Sequence, residues 1–295
     1  MRFGIVPLEF RPAVEKIVVN GVPDFSRFDI VRIVEQALNI ANISVIEITL
    51  DIAYIIPNSL GPREIERLVK LKDEYGHSYT AHLPLWSVEP STFNHHIRNA
   101  SVNAIVESIE LARPLEPEFY VLHSTGALAS EFSRLDFPSP MQKVISAALA
   151  GFSANSVEEI ISQSEIDPQR LAIENVEFPF EFTLQIAEEY GTTICFDTGH
   201  LLARFSGNEN VVDFYRQHRD TISEIHLNDG SYFEKNGVKI VDDHLALGQG
   251  QLPVKPFLTQ LVKDNFSGPL IFELTTEEVL ESLELIKQEV PQALR

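Results

Sequence analysis

Eight short apolar or β-branched runs recur along the chain with longer segments of helical period between them, and this alternation constrains the fold more than any other feature. The runs cover residues 2–6, 44–48, 78–82, 119–123, 171–174, 193–197, 224–226 and 270–272. Helical periodicity marks residues 29–39, 64–74, 94–112, 179–190, 211–219, 254–263 and 277–288. Strands separated by helices are the pattern of βαβ units around a parallel sheet. Eight such units predict a (β/α)8 TIM barrel. A barrel of this kind fills about 250 residues as one unit, so residues 1–295 are read as a single domain.

Local signals agree with that count. Gly191 follows Tyr190 as a helix C-terminal glycine, and Gly61-Pro62 opens a helix with proline in its first turn. The least regular stretch is 132–167, where Pro138 and Pro140 precede two expected helices, 141–151 and 157–164. It reads as an enlarged connection between the fourth and fifth strands. Residues 7–28, rich in proline and glycine, read as a long loop at the barrel mouth.

The ends of the predicted strands carry the chemistry. They read Glu47, His82, His123, Glu174, Asp197, His226 and Glu273, taken from the second run to the eighth. In a barrel these ends converge on one face, where catalytic groups lie. The chain has nine histidines in 295 residues, so three at preselected strand ends would arise by chance at roughly the 10⁻⁵ level. Two local patterns extend the set. Asp197-Thr198-Gly199-His200 puts a carboxylate at a strand end and an imidazole three residues later. Asp242-Asp243-His244 lies in the loop after the seventh strand, and in an extended loop Asp242 and His244 project to one side while Asp243 points away. Glu47 either orients a ligand histidine or is a buried carboxylate paired with a neighbouring strand. His77 and His218 read as surface residues, His95 and His96 as a solvated helix start, and Cys195 as a core residue.

Charge and cysteine content narrow the function. A formal net charge of −20 opposes a broad phosphate-tracking surface, because nucleic-acid affinity comes largely from Lys and Arg releasing counterions. Extended nucleic-acid binding is therefore not expected. A cluster of bound cations could still reverse the potential locally and admit a phosphate. The lone Cys195 rules out an intrachain disulfide and fits a reducing compartment. Residues 1–6 read as a strand rather than a signal segment, and no run of about 18 apolar residues follows. The reading is a cytoplasmic protein with no membrane partner.

These residues resemble the xylose isomerase-like TIM barrels, the superfamily that includes endonuclease IV and many sugar isomerases and epimerases. The likeness rests on His82, His123, Ile173-Glu174-Asn175, Asp197-Thr198-Gly199-His200, Ile225-His226-Leu227-Asn228-Asp229, Asp242-x-His244 and Phe272-Glu273. Its epimerase-like branch implies one ion held by Glu174, Asp197, His226 and Glu273. Its endonuclease IV-like branch implies two more, one on His82 and His123 with Glu174 bridging, the other on His200, Asp242 and His244. The stretches 79–85, 113–123 and 174–180 look most like the cobamide-remodelling phosphodiesterases, which hydrolyse a phosphodiester in the nucleotide loop of corrinoids.

Mixed imidazole and carboxylate donors suit Zn²⁺, Mn²⁺ or Fe²⁺ better than Ca²⁺ or Mg²⁺. Two to three ions per chain are expected, acting on a small, phosphorylated substrate. Adjacent ions stabilise both the attacking and the leaving oxygen of a phosphodiester, which favours a hydrolase. A sugar or sugar-phosphate isomerase or epimerase would instead use Glu174 and Glu273 for proton transfer across an enediolate.

Overall fold

The barrel strands, numbered in chain order, are β1 (Arg2–Ile5), β2 (Ile43–Thr49), β3 (Ser78–His82), β4 (Tyr120–Leu122), β5 (Leu171–Glu174), β6 (Thr193–Asp197), β7 (Ile222–His226) and β8 (Pro269–Phe272). They pair in sequence order, all parallel, and β8 returns to β1 in the register Arg2↔Pro269 to Ile5↔Phe272. The chain is thus a closed (β/α)8 TIM barrel. The structure is a computed structural model that describes residues 1–7, 17–135 and 137–294. Residues 8–16 of the expected mouth loop lie outside the described residues.

The strands read as near-continuous apolar runs because a parallel sheet is covered on both faces. One face packs inside the barrel and the other under the helices. Ile46, Ile48, Phe196 and Phe272 are at most 1% exposed, and each such side chain contributes about 1.5–3 kcal/mol by leaving water. The helices begin and end where the chain chemistry directs. Asp29 accepts the amide N–H of Arg32 at the start of the helix Ile30–Leu38. Thr275 and Glu278 form a capping box on Thr276–Glu289. Gly191 ends Phe180–Tyr190 at φ 69°, a backbone state that costs a glycine little.

The enlarged connection between β4 and β5 departs from expectation. In place of two short helices there is one of 26 residues, Ser139–Ser164, preceded by Ala127–Arg134. Its buried face carries serines and alanines, so the apolar stripe that would mark one long helix is broken up. The hydroxyls are satisfied by the barrel loops: Ser153 Oγ donates to Ser124 O and Ser156 Oγ to Pro90 O, both at 2.6 Å. By length and mean hydropathy alone this helix passes for one that could cross a membrane, although Gln, Lys, Asn, Glu and several Ser interrupt it and it is not a run of about 18 apolar residues. In this fold it packs among the outer helices.

Two histidines are less exposed than expected. His77 is 6% exposed, edge-on to Tyr79 at 4.6 Å, and burial followed by the nearby Lys72 pushes its imidazole down to about 4. His218 is half-buried against Phe180 and Phe214.

Candidate metal centre

Every strand from β3 to β8 delivers a donor at or just beyond its C-terminal end, and the barrel brings these donors together. His82, His123 and Glu174 form one group in which the donor atoms all lie within 4.8 Å of one another. A second comprises Glu174, Asp197, His226 and Glu273, and a third Asp197, His200 and His244, on the same criterion. Glu174 links the first group to the second, and Asp197 links the second to the third.

The first group is oriented by backbone. His82 Nδ1 lies 2.9 Å from Leu83 O and donates to it, which leaves Nε2 facing Glu174 Oε2 at 3.4 Å. His123 Nε2 approaches the same oxygen at 2.8 Å. In the central group His226 Nδ1 is 3.1 Å from Glu273 Oε2, 3.4 Å from Glu174 Oε1 and 3.9 Å from Asp197 Oδ2. In the third, Asp197 Oδ1 caps the short helix Thr198–Leu202 by accepting His200 N–H at 2.5 Å, which fixes both donors. His244 Nε2 lies 3.2 Å from Glu273 Oε2.

One sequence expectation needs correction. Asp242 does not join His244 in any of these groups among the described residues: it is exposed and its Oδ2 accepts from Ser231 Oγ at 3.3 Å. Asp243, expected to point away, sits 3.2 Å from His244 Nδ1 and 3.9 Å from His200 Nε2. The segment after β7 is a hairpin, Asp229–Lys235 against Val238–Leu245, with pairs Asp229↔Leu245 and Ser231↔Asp242. Three steps on one strand thus match two on the other. Such a bulge breaks the alternation of side chains, and this turns Asp243 and His244 toward His200 together.

Two asparagines, quoted in the sequence motifs without a role, brace the site: Asn175 the backbone of Asp197 and Asn228 the carboxylates of Asp197 and Glu273. Asn228 Nδ2 donates to Asp197 Oδ2 at 2.9 Å and to Glu273 Oε2 at 3.4 Å, and its Oδ1 accepts the Glu273 N–H. Asn175 Oδ1 accepts Asp197 N–H at 2.7 Å while its Nδ2 donates to Asp197 O. The signal was their position one or two residues beyond a ligand-bearing strand end. Glu224, fully buried inside the barrel, was missed, because an acidic residue two positions before a strand end looks like solvent-facing alternation.

The electrostatics fit cations. Burial lowers the His82 imidazole, but Glu174, Glu47 and Glu273 outweigh it and lift it to about 9. Against the same effect of burial, Asp197 and Glu174 lift His200 to about 9, and Asp243 and Glu273 lift His244 to about 11. Burial raises the Glu174 and Glu273 carboxyls, yet the surrounding imidazoles hold both well below the usual carboxylate range. His226 Nδ1 and Nε2 and His200 Nδ1 are buried with no well-aligned hydrogen-bond partner. Buried carboxylates facing unsatisfied imidazole nitrogens are what a divalent ion would satisfy, displacing the protons as it binds.

Six donors, His82, His123, Glu174, His200, His244 and Glu273, line a cavity of about 370 Å³ whose rim includes Leu85 and Trp86. A larger depression of about 670 Å³ around Arg2 and Arg219 lies at the opposite, N-terminal ends of the strands. It holds none of the donors, and barrel chemistry belongs to the C-terminal face.

Residues 37–292 match the family described as Xylose isomerase-like TIM barrel. An uncharacterized protein of Methanocaldococcus jannaschii is 24% identical over 241 residues, spanning 78% of this chain and 75% of that protein. Among solved structures, a D-tagatose 3-epimerase-like protein superposes with TM-score 0.70 at 22% identity, covering 99% of this chain and 98% of that one. Endonuclease IV from Thermus thermophilus gives TM-score 0.65 at 18% identity, covering 99% and 100%.

Proposed function

The chain belongs to the xylose isomerase-like TIM barrel family, and from that premise we propose that it is a divalent-metal enzyme that hydrolyses a small or medium-sized phosphodiester. The observation that supports this reading is the run of three donor groups joined through Glu174 and Asp197. Two to three ions of zinc, manganese or iron suit these donors. Neighbouring ions, when bound, stabilise charge on the attacking and leaving oxygens of a diester. In this reading Glu174 joins the first two groups, and Glu273, at the cavity wall and 19% exposed, takes the proton of the attacking water. Asn228 keeps the Asp197 and Glu273 carboxylates in register. The nucleotide loop of a cobamide is one diester of this class.

A second reading, a sugar or sugar-phosphate epimerase or isomerase, is favoured by the central group, which offers four ligands on its own, and by the likeness to epimerase structures. There Glu174 and Glu273 would pass a proton across an enediolate.

With metal supplied, a chromogenic phosphodiester should be cleaved slowly and a short abasic DNA duplex poorly at physiological salt, because the chain carries a net charge of −20. Efficient incision of the duplex would overturn the small-substrate assignment. Ketohexose epimerisation without any diester cleavage would overturn the hydrolase.

A further inference from the structure

Directly beneath the donors, the barrel interior holds polar groups that the proposed reaction does not use. Glu47 on β2 and Glu224 on β7 are both fully buried. Glu224 precedes His226 by two residues on the same strand and so faces the same way. Glu47 Oε1 lies 3.3 Å from His226 Nε2, and Glu47 Oε2 accepts from Thr80 Oγ1 at 2.9 Å. Neither Oε1 nor Nε2 has a well-aligned hydrogen-bond partner, and the buried Cys195 thiol lies beside the same His226 ring. A carboxylate buried beside another is costly to the fold, which makes its placement informative.

The two nitrogens of His226 face different surroundings. Nδ1 faces Glu174, Asp197 and Glu273, whereas Nε2 faces Glu47. A neutral imidazole has one lone pair and one N–H. A ring that gives its Nδ1 lone pair to the central group therefore keeps its proton on Nε2, pointed at the Glu47 carboxylate. We propose that Glu47 is a positioning residue: it accepts the His226 Nε2–H and so fixes the tautomer and ring orientation that aim Nδ1 at an ion in the central group. This rests on the central group holding an ion. Glu47, Glu224 and His226 also form a donor group by themselves, but a neutral His226 cannot serve both groups at once.

The inference carries a pair of expectations. Removing Glu47 leaves the buried Thr80 Oγ1 and His226 Nε2 without their acceptor, so the metal-free protein should melt somewhat lower than wild type for Glu47→Leu and less so for Glu47→Gln. Metal affinity should fall, since losing the acceptor behind a ligating histidine typically costs about 10- to 100-fold. The experiment measures dissociation constants for Zn²⁺ and Mn²⁺ by competition with a chromophoric chelator, alongside melts of the metal-free proteins, for wild type, Glu47→Leu and Glu47→Gln. The order expected is wild type tightest, then Glu47→Gln, whose amide carbonyl still accepts the Nε2–H but more weakly, then Glu47→Leu. Equal affinity in wild type and either folded variant overturns the proposal. So does loss of all binding in both variants while Glu273→Gln still binds, which would put the ion in the inner group. A wild-type protein that binds no ion at all removes the premise and the proposed function with it.

Discussion

His123→Ala and His244→Ala are each expected to lower the rate of diester hydrolysis at least about a hundredfold while leaving the chain folded. Each removes a donor from an outer group, at 2.8 Å from Glu174 for His123 and 3.2 Å from Glu273 for His244. The central four, Glu174, Asp197, His226 and Glu273, stay intact. A hydrolase that relies on neighbouring ions loses a main electrostatic contributor with each one, and losses of that kind are about 10²–10³-fold. An isomerase working from the central ion keeps most of its rate, so the two substitutions separate the readings. Glu174→Gln and Glu273→Gln abolish activity under both and do not. The same assay sets Asp243→Asn, expected to behave like His244→Ala, against Asp242→Asn, expected to be nearly silent because Asp242 is exposed and bound to Ser231. A melt must accompany every rate, since a lost ion also weakens the fold by linkage. Folded variants that keep one ion and epimerise a sugar at the wild-type rate would refute the phosphodiesterase reading.

Gly199→Ala is expected to damage both the fold and the third donor group. A Cβ at Gly199 would lie 1.8 Å from the carbonyl oxygen of Asp243 and 3.2 Å from Asn228 Cβ. The first obstacle is backbone, so no side-chain rotation relieves it. Overpacking of this sort costs about 3 kcal/mol or more at its upper end, which corresponds to roughly 6–12 °C in Tm. The hairpin must move away from the helix Thr198–Leu202 to make room, and His244 goes with it. Melting and metal content read the two effects separately. A variant that melts like wild type and retains every ion would show that the close approach of hairpin to helix is not needed.

The barrel was legible in the sequence because its two periods, apolar runs for strands and amphipathic stretches for helices, are written into composition at each position. The convergence of the candidate donors was legible for a related reason: the last residue of a barrel strand has only one place to go. His82, Glu174, Asp197 and His226 could thus be read from position alone. Expectation failed where spacing depends on a local irregularity. The bulge that turns Asp243 rather than Asp242 toward His200 and His244 arises from the pairing of two strands, Asp229–Lys235 and Val238–Leu245, where the sequence suggested a loop. The helix Ser139–Ser164 reads as two because buried serines that bond to loop carbonyls look polar in sequence. Glu224 and His77 mislead on the same ground, since a titratable side chain signals solvent unless its neighbours in space are known.

The most direct test is the number of metal equivalents per chain in the purified protein, read by elemental analysis against protein concentration. The three linked donor groups predict two to three equivalents of zinc, manganese or iron, whereas saturation at a single equivalent would contradict the multinuclear centre and leave the central group alone as a one-ion site.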